Sequence, residues 1–203
     1  MGRGKTISDN AVLDGLLAAI QEGGPGALTF ARASRAVGLS APTLVQRFGT
    51  RDAMIEAVLL RAWDLLDAAT AHADAESAID PAGAVAMLLR LMPGASAEHA
   101  LTDGLLLLRE DLRNPALRER GSAWGARLAH ALGRRLADDS ERAGRLGRQM
   151  ANVWQGSLIW WAFRRETDAG VAIEAALADW CESVGIVVPL TACSTPDSSS
   201  ATR

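Results

Sequence analysis

The chain is poor in cysteine, histidine and aromatic residues. Its 203 residues include two cysteines, three histidines and no tyrosine, and 4% are aromatic. Cys181 and Cys193 have no metal-ligand spacing and form no framework of pairs, which is typical of a reducing compartment. The histidines, His72, His99 and His130, lie far apart in the sequence. We therefore expect no metal site and no cofactor.

Long hydrophobic runs and the common enzyme motifs are also missing. No apolar run reaches the roughly 18 residues of a membrane span. The first twenty residues alternate charged and apolar groups, whereas a signal peptide has an apolar core. The chain contains no phosphate loop and no GxSxG, HExxH or GxGxxG motif. We expect a cytoplasmic protein that is not an enzyme and does not enter a membrane.

Charge is nearly balanced but unevenly distributed. The net charge is -3 and the pI is near 5.6, yet residues 1–60 carry +1 and the remainder carries -4. A protein that binds nucleic acid gathers its basic groups on one face. The direction in which the arginines of the first third point therefore matters more than their number.

The spacing of apolar residues predicts an all-α protein of about nine helices. Apolar residues recur at intervals of three and four along most of the chain, and almost no segment alternates with period two. Ser8, Thr29, Ser40 and Thr50 are predicted to cap the first four helices, because a hydroxyl there accepts a hydrogen bond from a free backbone N–H. Gly38 is placed to end the second helix in a left-handed turn. Further helices are predicted near residues 80–92, 97–112, 115–137, 141–166 and 169–185.

These helices divide into two parts and a tail. Residues 1–50 are predicted to form a three-helix domain, and residues 51–188 a larger helical domain entered through a long connector helix. Residues 189–203 are rich in Ser, Thr and Pro and cannot bury enough apolar surface to fold, so we predict a disordered tail.

The stretch GLSAPTLVQRFGTRDAM, residues 38–54, predicts a helix-turn-helix. Leu44 and Phe48 share one face of its helix, while small and polar residues occupy the others. Two short capped helices joined by a glycine turn describe a motif whose second helix enters the major groove of DNA. The alternative is a helical hairpin that merely packs, with its arginines in solvent.

The sequence LTFARASRAVGLSAPTLVQRFGTRDAMIEAVL, residues 28–59, resembles the DNA-binding signature of the tetracycline-repressor (TetR) family. The resemblance in sequence covers about residues 8–60. It implies a dimeric repressor whose C-terminal helices bind a small inducer. The residues predicted to contact DNA are Thr29, Ser40, Ala41, Pro42, Thr43, Val45, Gln46, Arg47 and Arg51.

Two positions depart from the family pattern. Val45 stands where a tyrosine is usual, and Arg47 stands where another aromatic is usual. A hydroxyl that could contact phosphate is therefore missing at position 45. Arg47 is expected to contact phosphate or to read a guanine through two hydrogen bonds, and Val45 could pack on a thymine methyl group.

The second half contains a segment, MANVWQGSLIWWAF at residues 150–163, that is apolar around nearly its whole circumference. Such a helix must be covered on more than one side. Paired with the last helix, it predicts a four-helix interface between two copies of the chain. The predicted interface residues are Met150, Val153, Ser157, Trp160, Ile173, Leu177, Trp180 and Val184.

The same region is expected to hold a small hydrophobic ligand. Tryptophan and methionine suit an adaptable apolar pocket, and a few polar groups would fix the orientation of the ligand. The alternative is that these side chains simply form the core. The predicted ligand-binding residues are Met87, Met92, His99, Leu105, Arg109, Trp124, Leu128, Trp154, Gln155, Leu158 and Trp161.

Together these patterns predict a homodimeric transcriptional repressor that binds a near-palindromic operator in double-stranded DNA and is released by a small hydrophobic inducer. A dimer spaces its two recognition helices by one turn of DNA, roughly 34 to 36 Å. The alternative function is a helical ligand-binding or assembly protein that has lost DNA binding.

Overall fold

The computed structural model of the protein describes residues 7–92 and 107–188. Over these ranges it contains nine helices and no strand, which confirms the predicted all-α class. Most of the helix predicted over residues 97–112, the predicted tail, and the ligand candidates His99 and Leu105 lie outside the described residues. The helices are α1 (Asp9–Ala27), α2 (Phe30–Val37), α3 (Ala41–Phe48), α4 (Arg51–Ala75), α5 (Pro81–Arg90), α6 (residues 107–113), α7 (Pro115–Leu136), α8 (Ser140–Arg164) and α9 (Ala169–Ser183).

Local signals define the ends of these helices. Each of the four predicted hydroxyl caps accepts a hydrogen bond from the backbone N–H three residues later, at 3.1 to 3.3 Å. Gly38 has a φ of 69° and ends α2 in the predicted left-handed turn. Gly24, with a φ of 74°, interrupts α1 just before Pro25. The short helices of the first third are therefore fixed by their own sequence.

The first three helices pack against the N-terminal half of α4. Their contacts build one apolar core, which includes Leu117 at the start of α7. Its fully buried members in the first four helices and the turn after α1 include Val12, Leu16, Leu28, Ala33, Leu44, Met54 and Val58.

A second core lies among the remainder of α4, α5, α7, α8 and α9. It holds the two buried tryptophans, Trp124 and Trp154, each 6% exposed. None of the helices in the described ranges combines the length and the apolar composition that a bilayer crossing requires.

Helix α4 belongs to both cores and is tied to α7 by a row of ion pairs. Aspartates at positions 64, 67 and 74 of α4 face arginines at positions 120, 127 and 134 of α7. The arginines are seven residues apart, so they lie on one face of α7 over successive pairs of turns. Individual surface pairs contribute little, but a row of them sets the register of two helices. The position of α4 therefore fixes how the first core sits on the second.

Candidate functional site

The α2–turn–α3 unit presents one apolar and one solvent-facing side. Ala33 and Leu44 are completely buried, as the spacing predicts for the inner face. Five of the predicted DNA-contacting residues of α3 are exposed, namely Pro42, Thr43, Val45, Gln46 and Arg47. Val45 is 44% exposed, which is high for a large apolar side chain. The outward side of α3 is thus short, partly polar and open to a large partner.

The cap residues are engaged with the helix termini. Ser40 Oγ accepts a hydrogen bond from the Thr43 backbone N–H, and it also lies 2.7 Å from Thr43 Oγ1. Thr29 caps α2 through the Arg32 backbone N–H and is exposed. Thr29, Ser40 and Thr43 are all exposed, as side chains that contact phosphate must be. Ala41 is half-buried.

Arg47 and Arg51 have different environments. The Arg47 guanidinium pairs with Asp9 of α1 at 2.9 Å, and the Asp9 side chain is 79% exposed. Arg51 donates to three backbone carbonyls, those of Pro25, Gly26 and Leu28, at 2.8 to 3.0 Å. Arg51 thereby fastens the start of α4 to the end of α1. Its predicted contact with DNA competes with these three bonds.

The structure also draws attention to Arg35, which was not among the predicted contacts. Four arginines lie between residues 7 and 60, and the pairs Arg32–Glu22, Arg47–Asp9 and Arg51–Asp52 engage three of them. Arg35, in the last turn of α2, is exposed and has no ion pair within the described ranges. The sequence signal for it is only its basic character in the helix before the turn.

Five of the predicted ligand-binding residues meet in the second core. They share one contiguous apolar cluster and consist of Met87, Trp124, Leu128, Trp154 and Leu158. Met92 is half-buried against the same cluster, whereas Gln155 is exposed. A cavity of about 530 Å³ is lined by Trp124, Leu128 and Gln155 together with residues of α7 and α8.

The remaining predicted ligand residues lie elsewhere. Trp161 is half-buried and donates from Nε1 to the Thr167 carbonyl at 2.9 Å. The Arg109 side chain is 65% exposed and pairs with Glu110 at 3.0 Å. Arg109 lines a different cavity, of about 540 Å³, between α6, α4 and the end of α1. The predicted set therefore divides between at least two regions.

The two buried tryptophans differ in their hydrogen bonding. Trp124 Nε1 donates to Thr70 Oγ1 of α4 at 2.9 Å. Trp154 Nε1 is fully buried and has no hydrogen-bond partner among the described residues. A buried donor left unsatisfied costs about 1 to 3 kcal/mol. The Trp154 indole can therefore donate to an acceptor that enters this core.

A smaller cavity between α4 and α6 was not predicted from the sequence. Its volume is about 210 Å³, and its lining is apolar apart from Trp63 Nε1 and the Asp111 carboxylate. Trp63 Nε1 donates to Asp111 Oδ1 at 3.1 Å. Burial raises the pKa of the Asp111 carboxyl above its ordinary value of 3.8, the Trp63 bond opposes this, and the nearby Glu110 charge adds to it. The helical pattern gives no sign of this contact, because its partners are 48 residues apart.

The predicted interface residues fall into three groups by exposure. Met150, Ile173 and Leu177 are completely buried in the core of the chain, so a partner chain could not contact them in this conformation. Trp160 is 61% exposed, and Arg164 lies over its ring at 5.9 Å. The neighbouring Phe163 is 78% exposed. The other four residues, Val153, Ser157, Trp180 and Val184, are half-buried.

The arrangement of helices in the described ranges is compatible with a TetR-like fold. No protein-family model matches the chain, and no curated protein matches it. Assignment to the TetR family is therefore a proposal, supported by the resemblance of the helix-turn-helix sequence and by the arrangement of its residues.

Proposed function

We propose that the chain is a ligand-responsive transcriptional regulator of the TetR type. It binds a near-palindromic operator as a homodimer through α3, and it represses until a small hydrophobic ligand releases it. The observation that carries this proposal is the pair α2 and α3, which is capped twice and turned by Gly38. It buries Ala33 and Leu44 on its inner face, while mostly short and polar side chains, with Val45 among them, face outward. A helix with short polar outward side chains can approach the floor of the major groove.

Arg47 is the residue we expect to read or hold the DNA. Its partner Asp9 is 79% exposed and the Arg47 side chain itself 28% exposed. Ion pairs at a surface contribute about 0 to 1 kcal/mol, so a phosphate or a guanine can replace the carboxylate. Thr43 and Gln46 lie beside it on the exposed side of α3 and supply further donors. Arg47→Ala is expected to cost roughly 1 to 3 kcal/mol in operator binding if the guanidinium reads a base.

Ligand release requires that binding beyond the first three helices is transmitted to α3. Arg51 fastens the start of α4 to α1, and the aspartates of α4 fasten its other half to α7. A shift of α4 relative to α7 would therefore move both recognition helices of a dimer. Such coupling typically amounts to about 1 to 3 kcal/mol and is reciprocal, so operator DNA should weaken the ligand by the same factor.

The test is selection of bound fragments from genomic DNA by the purified protein and by a Thr43→Ala, Arg47→Ala variant. Arg145→Ala is the matched control, because Arg145 is exposed on α8, which packs mainly on α7 and α9. Enrichment of a short near-palindrome by the native protein and by the control, but not by the double variant, supports the proposal. The affinity of the native protein for DNA should also fall steeply as the salt concentration rises, because binding releases counterions from the DNA.

A second candidate function is a helical ligand-binding or assembly protein without DNA binding. The observation that favours it is the pairing of three of the four arginines between residues 7 and 60 with acidic side chains. In that case a folded native dimer, freed of any bound ligand, enriches no DNA fragment and shows no salt-dependent DNA affinity.

A further inference from the structure

We propose that the 210 Å³ cavity between α4 and α6 binds a small apolar molecule that carries a protonated amine, with the amine paired to Asp111. This inference names the chemical class of the ligand, and it rests on the proposed ligand-responsive function. The cavity is lined by Leu59, Ala62, Trp63, Leu66, Leu107 and Asp111.

The cavity combines apolar walls with one available carboxylate oxygen. The Asp111 carboxylate uses Oδ1 to accept the Trp63 hydrogen bond, and no other hydrogen bond to Asp111 is made by the described residues. None of the described residues occupies Oδ2, so this oxygen can accept a hydrogen bond from a ligand. An apolar pocket with one or two convergent polar groups is the usual form of a small-molecule site, in which the polar group fixes orientation.

The charges around Asp111 favour a positively charged ligand. No arginine, lysine or histidine of the described part of the chain lies within ion-pair distance of Asp111. The charge that acts on it comes from Glu110 and has the same sign, and burial raises the pKa of the Asp111 carboxyl. By contrast, Asp14, Asp64, Asp67 and Asp74 each face an arginine. A partly buried carboxylate without a counter-ion favours a cation over a neutral or anionic ligand.

A tryptophan of α4 forms one wall of the cavity. The rings of Trp63 and Trp124 lie 5.9 Å apart and are inclined by 54°, so Trp124 supports Trp63 from the side of the second core. Because Trp63 belongs to α4, a ligand that contacts it acts directly on the helix that leads to α3.

The test measures binding of three matched compounds to the full-length protein by titration calorimetry and tryptophan fluorescence. Phenethylamine carries the positive charge at neutral pH, 2-phenylethanol is its neutral counterpart and phenylacetate its anionic one. The amine should bind about tenfold or more tightly than the alcohol, and phenylacetate more weakly still. Asp111→Asn should abolish this preference, since the amide still accepts the Trp63 hydrogen bond but carries no charge.

Asp179→Asn, an exposed carboxylate on α9, is the control and should keep the preference. Equal affinity for amine and alcohol, a preference that survives Asp111→Asn, or no amine binding overturns the inference. These titrations contain no DNA, so they are independent of the operator selection. Operator enrichment without amine preference overturns only the ligand class, and amine preference without enrichment overturns only the DNA-binding function.

Discussion

Arg135 is the most completely buried charged side chain among the described residues. Its guanidinium donates to the Asp74 carboxylate at 2.5 Å and to the backbone carbonyls of Asp74, Ser77, Ala78 and Ala131. Most of these acceptors lie at the end of α4 or just beyond it, where carbonyls have no partner within the helix. The planar fork of arginine satisfies several of them at once, which a lysine cannot do.

Arg135→Lys is therefore expected to lower the free energy of unfolding by about 2 to 4 kcal/mol, because buried carbonyls lose their donors. The measurement is denaturant unfolding followed by circular dichroism. Arg134→Lys is the control, since its side chain is 41% exposed and pairs with the same Asp74. It should change stability by less than about 1 kcal/mol. Equal losses in the two variants would contradict the role assigned to Arg135.

Asp111 gives a prediction on pH dependence. Burial raises the pKa of its carboxyl, so the folded protein holds this proton more firmly than the unfolded chain. The protonated carboxyl favours the folded state. This contribution to the free energy of unfolding is fully present below the ordinary pKa of 3.8 and is lost as pH rises through the raised pKa of the folded protein. Asp111→Asn is neutral at every pH, and it should melt at a higher temperature than the native protein at neutral pH. Thermal melts between neutral and acidic pH check this: the advantage should shrink as pH falls toward 4, and a constant difference would contradict it.

Sequence predicted the caps but none of these long-range contacts. A cap such as Ser40 and its N–H donor are three residues apart, so the pattern itself contains both partners. Arg51 and the Leu28 carbonyl are 23 residues apart, and Arg135 and Asp74 are 61 apart. Which arginine reaches which acceptor depends on how the helices cross, and a single sequence does not encode that in its periodicity.

At the scale of helices, α7 and α8 approach closely through two glycines. A Cβ added to Gly147 would overlap the Ala129 carbonyl, and one added to Gly133 would overlap the Ala143 carbonyl. Both glycines are buried. Because neither glycine has a side chain, the two backbones can lie close together, and α7 covers this side of α8 within the same chain.

Gly147→Ala should destabilise the protein by about 1 to 3 kcal/mol, because the helices must move apart to admit the methyl group. Gly156→Ala on the same helix is the control, as no described residue lies within 4 Å of a Cβ there. It should be stabilising by about 0.5 to 1 kcal/mol through better helix propensity. Denaturant midpoints of the two variants give the comparison, and a loss in both or in neither would refute the close-packing account.

Helix boundaries followed from the sequence more readily than helix partners. The predicted helices at 115–137, 141–166 and 169–185 match α7, α8 and α9 closely, because Asn114, Asp139 and Asp168 cap them locally. The apolar circumference of α8 predicts that a partner chain covers part of this helix. Within the chain, α7 and α9 already cover much of it, and Met150 lies in the core.

At the scale of the whole molecule, an apolar surface remains on α8 and the start of α9. Ile159, Trp160, Phe163 and Val171 are 39%, 61%, 78% and 59% exposed. The Trp160 and Phe163 rings lie 5.9 Å apart, so they form one patch with Arg164 beside it. A contiguous exposed aromatic patch is a common mark of a protein interface. We expect the homodimer to use this surface.

Trp160→Glu should convert the dimer into a monomer, because burying a carboxylate in a symmetric interface places two like charges close together. Ile79→Glu is the control, since Ile79 is 59% exposed in the turn before α5. Light scattering after size-exclusion chromatography gives the mass of each variant, and circular dichroism checks that both are folded. Operator affinity should fall sharply in the Trp160 variant alone, because a monomer presents one recognition helix where the dimer presents two. If the folded Trp160→Glu protein is still dimeric, the dimer interface lies on another surface and this patch is not part of it.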